Sequence, residues 1–474
     1  MAEMRERQGR RLHQFLSRRV YPYCPYYRSL FNRLKLNPDK LRRIEDLRHI
    51  PFTSKADISP TADNPDRYRD FIIQPSPEQI RGELTITDKI ALFAKSKLFL
   101  RSVQDQVLDE YLPVMTTFTT GRTALPTPFA YTLRDVEILR ESGRRMFQVA
   151  GLTRTHDRGL NAMPFAPHLA FWQVTHAGLA VGLLLLHSGG GKGLGSEAIL
   201  RLGERTAPTF LIGTPGYIYH LAHLAGEGGF RITTLRRVIL GAERVSPEYK
   251  QKLREQLARI GSPDVQILAT YGFTEAKKAW MENLDGPGSR FPTYPDMEVF
   301  EVIDPETGEN VPVGHPGEIV YTHLGGAGSI VLRYRTGDRV AEGLAWGVCP
   351  TTGLTLPLLG TTITRDSEVK KVKGTLVDLN EVYCLLHAQP DVLDWQVVVS
   401  KADGQEYGRD QVKLNVALAE GTDAEAFDER MSREFKAVTE ISLDMVAHFS
   451  RGELAAQMGM DTLPKEARIV DQRG

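Results

Sequence analysis

Between residues 110 and 300 the chain alternates short apolar runs with helical patterns, and this alternation restricts the fold more than any other feature. VGLLLLHSG (181–189), PTFLIGT (208–214), LRRVILGAE (235–243) and VQILATYG (265–272) each read as a buried strand closing on turn residues. Segments such as SPEYKQKLREQLARIG, with helical spacing and a glycine stop, lie between them. Successive βαβ units of this kind build a mostly parallel sheet. Ligands of such sheets sit beyond the carboxyl ends of the strands, and there the unusual residues of this sequence fall.

From about residue 297 the texture changes. MEVFEVIDPETGENVPVGHPGEIVYTHL has alternating strands around the turn Asp304-Pro305-Glu306-Thr307-Gly308, which predicts an antiparallel hairpin or small barrel. A polar, lysine-rich passage, TTITRDSEVKKVKG (361–374), reads as a joint that opens about 110 residues of α+β pattern. The expected class is therefore α/β. A large domain (1–362) has mixed and parallel sheets, helices and a small barrel-like β region, and a small α+β domain (363–474) follows.

Charge and cysteine usage exclude several classes of function. Lys+Arg 59 balance Asp+Glu 59, which argues against whole-molecule binding to nucleic acid or an anionic membrane. The first 48 residues do carry thirteen Lys/Arg against five Asp/Glu. Leu12, Phe15 and Val20 there fall at near-helical spacing, so an amphipathic helix with a solvated basic face is expected ahead of a nucleic-acid arm. Cys24, Cys349 and Cys384 are far apart and offer neither a CxxC metal pair nor a disulfide framework, so a reducing cytoplasm is the default. The polar start, MAEMRERQGRRLHQ, reads as no secretory signal. LAFWQVTHAGLAVGLLLL (169–186) is long enough to span a bilayer. Gln173, Thr175 and His176 interrupt it, and its small residues suit a closely packed core helix leading into a strand.

Five segments invite a chemical reading. Thr116-Thr117-Phe118-Thr119-Thr120-Gly121-Arg122-Thr123 crowds hydroxyls, a glycine and a guanidinium, a set able to wrap an oxyanion, although a Thr-rich loop or edge strand reads the same way. Its GK[ST] ending is missing, so it is no Walker A loop. The run Ser188–Gly195 has neither GxGxxG spacing nor that ending, and reads as a strand-to-helix turn. Tyr271-Gly272-Phe273-Thr274-Glu275 puts an aromatic face for a purine, a glycine for close approach, a hydroxyl and a carboxylate for Mg²⁺ within five residues. Gly241-Ala242-Glu243 ends another strand, and Tyr334-Arg335-Thr336-Gly337-Asp338 offers an aspartate able to accept both hydroxyls of a ribose. Each alone is an ordinary turn; their ordered co-occurrence is what points to a nucleotide.

In that order the segments resemble the adenylate-forming superfamily of acyl-CoA synthetases, and within it the phenylacetate–CoA ligase branch. The resemblance covers nearly the whole chain. YPYCPYYRSLF followed by DLRHIPFTSKADI is similar to the branch's opening segment, and TTFTTGRT to its phosphate loop. LRRVILGAERVSPE resembles the adenine-side strand, YGFTE the motif with the stacking aromatic and the Mg²⁺-associated glutamate, and LRYRTGD the motif with the ribose aspartate. IDPETGENVPVGHPGEIVYTHL matches the intervening motif, TRDSEVKKVKG resembles the hinge, and LPKEARIVDQR the closing segment with its catalytic lysine, here Lys465.

The resemblance implies ATP- and Mg²⁺-dependent conversion of a carboxylic acid to acyl-AMP, then transfer to coenzyme A after the small domain swings about its hinge. It assigns Mg²⁺ to Glu275 and the phosphates to Thr116, Thr117, Thr119, Thr120, Gly121 and Arg122. Gly241, Ala242, Glu243, Tyr271, Gly272 and Thr274 line the adenine side. Asp338 takes the ribose, and Arg365 the ribose or phosphate. Lys465 bridges carboxylate and phosphate, and Gly374 lies near the incoming thiol. Phe165, His168, Trp172 and Tyr217 are aromatic candidates for an aryl-acid pocket or, equally, core packing. Departures are Phe118 where the loop has glycine, Arg122 for lysine, Thr123 for proline, Thr364 for the hinge glycine, and Ser367-Glu368 for the acidic pair. The branch's zinc-binding cysteines are missing around Cys349, so no zinc is expected. Two rivals follow: transfer of the acyl group to an amine or carrier-protein thiol, and a silent nucleotide-binding homologue with Phe118 in the triphosphate's place.

Overall fold

Helix α1 (Ala2–Phe15) carries the basic start of the chain and buries Gln8, Gly9, Leu12 and Phe15 along one face. Arg7 and Arg10 are exposed and each meets a glutamate one turn earlier, Glu3 and Glu6. The computed structural model describes residues 1–76, 79, 109–119, 126–365, 369–373, 375–401, 409–460 and 467–473. The chain forms two compact units. The first comprises Met1–Arg154, Pro167–Leu183 and Thr270–Thr362; the second comprises Thr155–Ala166, Leu184–Ala269 and Ile363–Gly474.

In the first unit, α2 (Pro25–Leu34) follows, with proline at its start, and Tyr26 and Tyr27 pack against Phe71. Strand β1 (Pro113–Phe118) pairs antiparallel with β2 (Pro128–Thr132), Thr117 facing Phe129. Thr132 then caps α3 (Leu133–Val149): its hydroxyl accepts the Asp135 N–H, and the Asp135 carboxylate reaches back to the Thr132 N–H. Helix α4 (Leu169–Val181) lies against α3 closely enough that a Cβ on Gly143 would fall 2.7 Å from that of Ala177. The long apolar run thus divides into this 13-residue helix and a strand. Among the described residues no helix is long and apolar enough to cross a membrane.

The second unit contains the parallel sheet. Strand β3 (Arg158–Asn161) sits between β4 (Leu184–His187) and β5 (Phe210–Gly213), and β6 (Arg237–Leu240) and β7 (Gln266–Phe273) extend the sheet. All four runs predicted as strands are strands; β3, only four residues long, was not read from the sequence. Helices α5 (Ser196–Thr206), α6 (Pro215–Glu227) and α7 (Pro247–Arg259) make the crossovers. The glycine run is the expected turn, with Gly189, Gly190 and Gly195 at positive φ between β4 and α5.

Parallel pairing of β7 stops at Ala269, and its second half pairs antiparallel with β8 (Lys278–Met281). Beyond this switch the first unit continues with β9 (Arg290–Pro292) and the antiparallel run β10 (Glu298–Ile303), β11 (Gly317–His323) and β12 (Tyr334–Val340). The β10–β11 connection contains the predicted turn, in which Asp304 Oδ1 accepts the N–H groups of Glu306 and Thr307. Strand β13 (Leu344–Val348) pairs with β14 (Thr355–Gly360), which also pairs with β9.

The last stretch belongs to the second unit. A hairpin of β15 (Val369–Val372) and β16 (Thr375–Asp378) leads into α8 (Leu379–Ala388). Antiparallel β17 (Val392–Lys401) and β18 (Asp410–Leu418) are flanked by β19 (Met445–His448) and β20 (Ile469–Asp471). Helix α9 (Ala424–Thr439) buries Phe427, Met431 and Phe435 with Trp395 and Val397. Helix α10 (Arg451–Gln457) contributes Leu454 to the core that holds Leu253 and Leu257 of α7. Lys252 Nζ donates to the Val392 carbonyl at 3.2 Å, and burial lowers its pKa to about 8.

Candidate active site

Two carboxylates and two tyrosines connect the end of β7 to β12 within the first unit. Tyr271 of β7 donates its hydroxyl to Asp338 Oδ2 of β12 at 2.8 Å. In the opposite sense, Tyr334 of β12 donates to Glu275 Oε1, just beyond β7, also at 2.8 Å. Each acid thus has a phenol from the other segment. The Tyr271 ring stacks on buried Trp280 at 5.7 Å, and Phe273 packs against Tyr321 and Tyr334. Gly272 belongs here because an added Cβ would stand 2.8 Å from that of Ala279 on β8. Asp338 is 3% exposed, and its N–H is bonded to Thr336 Oγ1. Thr274 starts the short turn that presents Glu275.

The β1–β2 hairpin places the described part of the predicted phosphate loop. Thr116 is exposed on β1. Thr117 is fully buried and its hydroxyl bonds to Tyr131 of β2 at 3.2 Å, so it braces the hairpin from inside. Thr119 Oγ1 accepts the Thr127 N–H at 3.1 Å and closes the base of the loop. Phe118 takes the Pro167 carbonyl on its N–H, and His168 Nδ1 donates to the Phe118 carbonyl at 3.1 Å. That bond leaves Nε2 of His168 for other partners. Trp172, one turn into α4, is half-buried and meets Phe171 edge-on.

Sequence reasoning missed the groups that support these residues. Lys277 adopts a left-handed conformation after the Glu275 turn, and its Nζ lies 2.5 Å from Asp135 Oδ1, both side chains almost fully buried. Asp135 Oδ2 also accepts the Thr132 N–H and hydroxyl and the Gly328 N–H. Burial pushes the Asp135 carboxyl upward, but Lys277 and these donors outweigh it and hold its pKa below the ordinary range. Lys278, 1% exposed, lies 3.3 Å from Glu298, which also accepts the indole N–H of Trp280. The signal was present in the alternation of Lys278, Ala279 and Trp280, which puts the lysine on the face of β8 that buries Trp280.

His323 fastens the same turn. Val331 donates its N–H to Nδ1 at 3.0 Å, so Nε2 carries the proton and donates to the Ala276 carbonyl at 3.2 Å. Burial first, then Lys278 and Lys277, push the His323 pKa well below its ordinary value, so the ring is neutral.

In the second unit, Gly241 continues from β6 with its N–H on the Gly213 carbonyl, and Ala242 takes a left-handed φ of 70°. Glu243 Oε1 is buried without a hydrogen-bond partner among the described residues. Tyr217 is buried and its hydroxyl meets Ser196 Oγ at 3.2 Å, whereas Phe165 is 66% exposed. Arg365 is exposed. Thr120, Gly121, Arg122, Gly374 and Lys465 lie outside the described residues.

Residues 52–328 match the family model described as AMP-binding enzyme. The phenylacetate–coenzyme A ligase of Thermus thermophilus is 26% identical over 88% of this chain and 82% of its own length. That of Pseudomonas putida is also 26% identical, over 71% of this chain and 66% of its own length. Among solved structures, 2-hydroxyisobutyryl-CoA ligase in the postadenylation state, in complex with 2-HIB-AMP, has a TM-score of 0.74 at 19% identity, covering 100% of this chain and 90% of that one.

Two outcomes follow from the buried charges. Replacing Lys277 by Met strands the Asp135 carboxylate in a low-dielectric interior and should cost about 3–5 kcal/mol in urea unfolding, with partial recovery in Lys277→Met/Asp135→Asn. His323 has a folded pKa below its unfolded value of about 6.5, so below that pH the unfolded chain binds a proton the folded chain refuses. Its contribution is therefore lost as pH falls from about 6.5 toward the folded value, with a slope approaching about 1.4 kcal/mol per pH unit. His323→Gln should flatten the acid limb of the stability–pH curve by about one proton.

Proposed function

We propose, from the premise that the chain belongs to the AMP-binding enzyme family, in the phenylacetate–CoA ligase-like branch of the adenylate-forming superfamily, that it converts an aryl carboxylic acid to its coenzyme A thioester. The observation that carries this reading is the reciprocal pair of bonds between Tyr271 and Asp338 and between Tyr334 and Glu275. It supports a cradle in which one carboxylate is presented to sugar hydroxyls and the other to the phosphates. On ATP binding, the two ribose hydroxyls take the place of the Tyr271 phenol at Asp338, and the freed ring supplies an aromatic face for adenine.

A carboxylate is a poor electrophile because its charge is delocalised and its oxygen leaves badly. In the first step one of its oxygens attacks the α-phosphorus of ATP, the bond to the bridging oxygen breaks, and pyrophosphate departs. In the second, the thiol sulfur of coenzyme A attacks the acyl carbon, AMP leaves, and the thiol proton passes to solvent. The main demand is for cations and donors where pyrophosphate charge develops. Thr116, Thr119, Thr120, Gly121 and Arg122 are assigned there, with Thr117 bracing the hairpin. Lys465 is assigned to the reacting carboxylate, Arg365 to ribose or phosphate, and Gly374 to the thiol. Residues 363–474 are assigned as the part that changes pose between the steps. Gly241, Ala242 and Glu243 are assigned to the adenine side, and Phe165, His168, Trp172 and Tyr217 to acyl recognition.

A single carboxylate suits Mg²⁺, which takes one or two protein oxygens and completes its shell with phosphates and water. Glu275 fits that role, and the described residues contain no cluster of three or more His, Cys, Asp or Glu that would make an all-protein cage. When bound there with the nucleotide, the ion supplies neutralising charge to the phosphates.

Pyrophosphate release measured with ATP and a panel of aryl acids tests the reading, with thiol consumption followed when coenzyme A is added. Acid-dependent pyrophosphate release and thioester formation are expected. Release followed by transfer only to amines would replace the acceptor, and no release across the panel would overturn the enzyme. Asp338→Ala should raise the KM for ATP by about 10–100-fold, since charge-assisted hydrogen bonds contribute about 1.5–3 kcal/mol each.

A further inference from the structure

A cavity of about 620 Å³ in the first unit lies apart from the tyrosine–carboxylate pairs, lined by α1 and the segment after it, by α3, and by Ala276–Lys278. Its charges do not balance. Every acid on its wall is engaged: Asp135 by Lys277, Glu137 by Arg140, and Glu141 and Asp296 both by Arg145. The cations are in excess. Arg19 and Arg134 share one carboxylate, that of Glu110, at 2.5 and 3.4 Å. Arg19 Nη1 is buried with no hydrogen-bond partner among the described residues. Arg18, also on the wall, is exposed and has no acidic partner among the described residues. Burial, and then the neighbouring Arg19, lower the pKa of Arg134, as crowding of like charges requires.

We propose that this cavity is a binding site for a phosphate-bearing small molecule, held by the guanidinium groups of Arg18, Arg19 and Arg134. A guanidinium is a planar fork of donors that matches a phosphate edge, and a buried fork with an unused N–H has a standing demand for an acceptor. Glu110 satisfies one arm of each of two arginines and no more. The volume exceeds what an inorganic anion fills and lies in the range of sites for organic ligands. The wall continues into Ala276–Lys278, immediately after Glu275, so an occupant would press on the turn that presents that carboxylate. The site does not depend on which acid the chain activates, or on whether it activates one.

Calorimetric titration of the full chain at low salt with pyrophosphate, and separately with adenosine 3′,5′-bisphosphate, tests the site. Binding of at least one probe is expected, weakened ten-fold or more in Arg18→Gln/Arg134→Gln and retained in Asp338→Ala. The tighter probe identifies the source of the phosphate, inorganic or organic. AMP binding should be unchanged in the arginine variant. If that variant melts early, Arg134→Lys, which keeps the charge and loses the fork, should still weaken binding several-fold. Unchanged affinity in the arginine variants, loss of binding in Asp338→Ala, or no binding of either probe at millimolar concentration would overturn the proposal.

Discussion

The buried ion pair between Asp135 and Lys277 ties together the parts of the first unit that the candidate site needs. Asp135 completes the capping box that starts the helix after the β1–β2 hairpin and receives backbone N–H groups from the loop before β12. Through Lys277 it also fixes the turn carrying Glu275. Three segments distant in sequence therefore meet on one carboxylate. Burying such a pair brings little net stability compared with an apolar equivalent. What it provides is a geometry that neither partner can leave without stranding a charge.

The tyrosine–carboxylate pairs build on this frame. The switch of β7 from parallel to antiparallel pairing brings Tyr271 and Glu275 alongside β12, and the aromatic cluster around Trp280 and Tyr321 holds their backbone. His323 fastens the Ala276 carbonyl from the other side, its ring kept neutral by burial and by two adjacent lysines. Lys277, Lys278 and His323 also line the arginine-bearing cavity, so the turn that carries Glu275 and that cavity share a wall.

Much of the fold was legible. Four apolar runs, the Asp304 turn and the glycine turn before α5 were read from local pattern because each is decided within a few residues. Strand β3 was missed because RGLN is too short and too polar to show a period. Tyr271, Glu275 and Asp338 were singled out for their chemistry near strand ends, but not the hydrogen bonds that draw them together. Thr117 was not: its neighbour Thr116 has the same hydroxyl, and only the register with Tyr131 turns one inward and leaves the other exposed. Lys277 and Lys278 were not singled out, because a lysine's burial depends on a carboxylate 142 or 20 positions away.

The amino-acid order alone determined which segments become strands and helices, where the chain turns, and which residue types stand at the strand ends. Those are consequences of backbone sterics and side-chain period, which act over a few residues. Tertiary structure alone decided which carboxylate meets which tyrosine, which lysine is buried, and which arginine is left with an unused N–H. Pairings of that kind depend on the register between distant strands and on the loss of water between them, and neither is written in any local stretch of the chain.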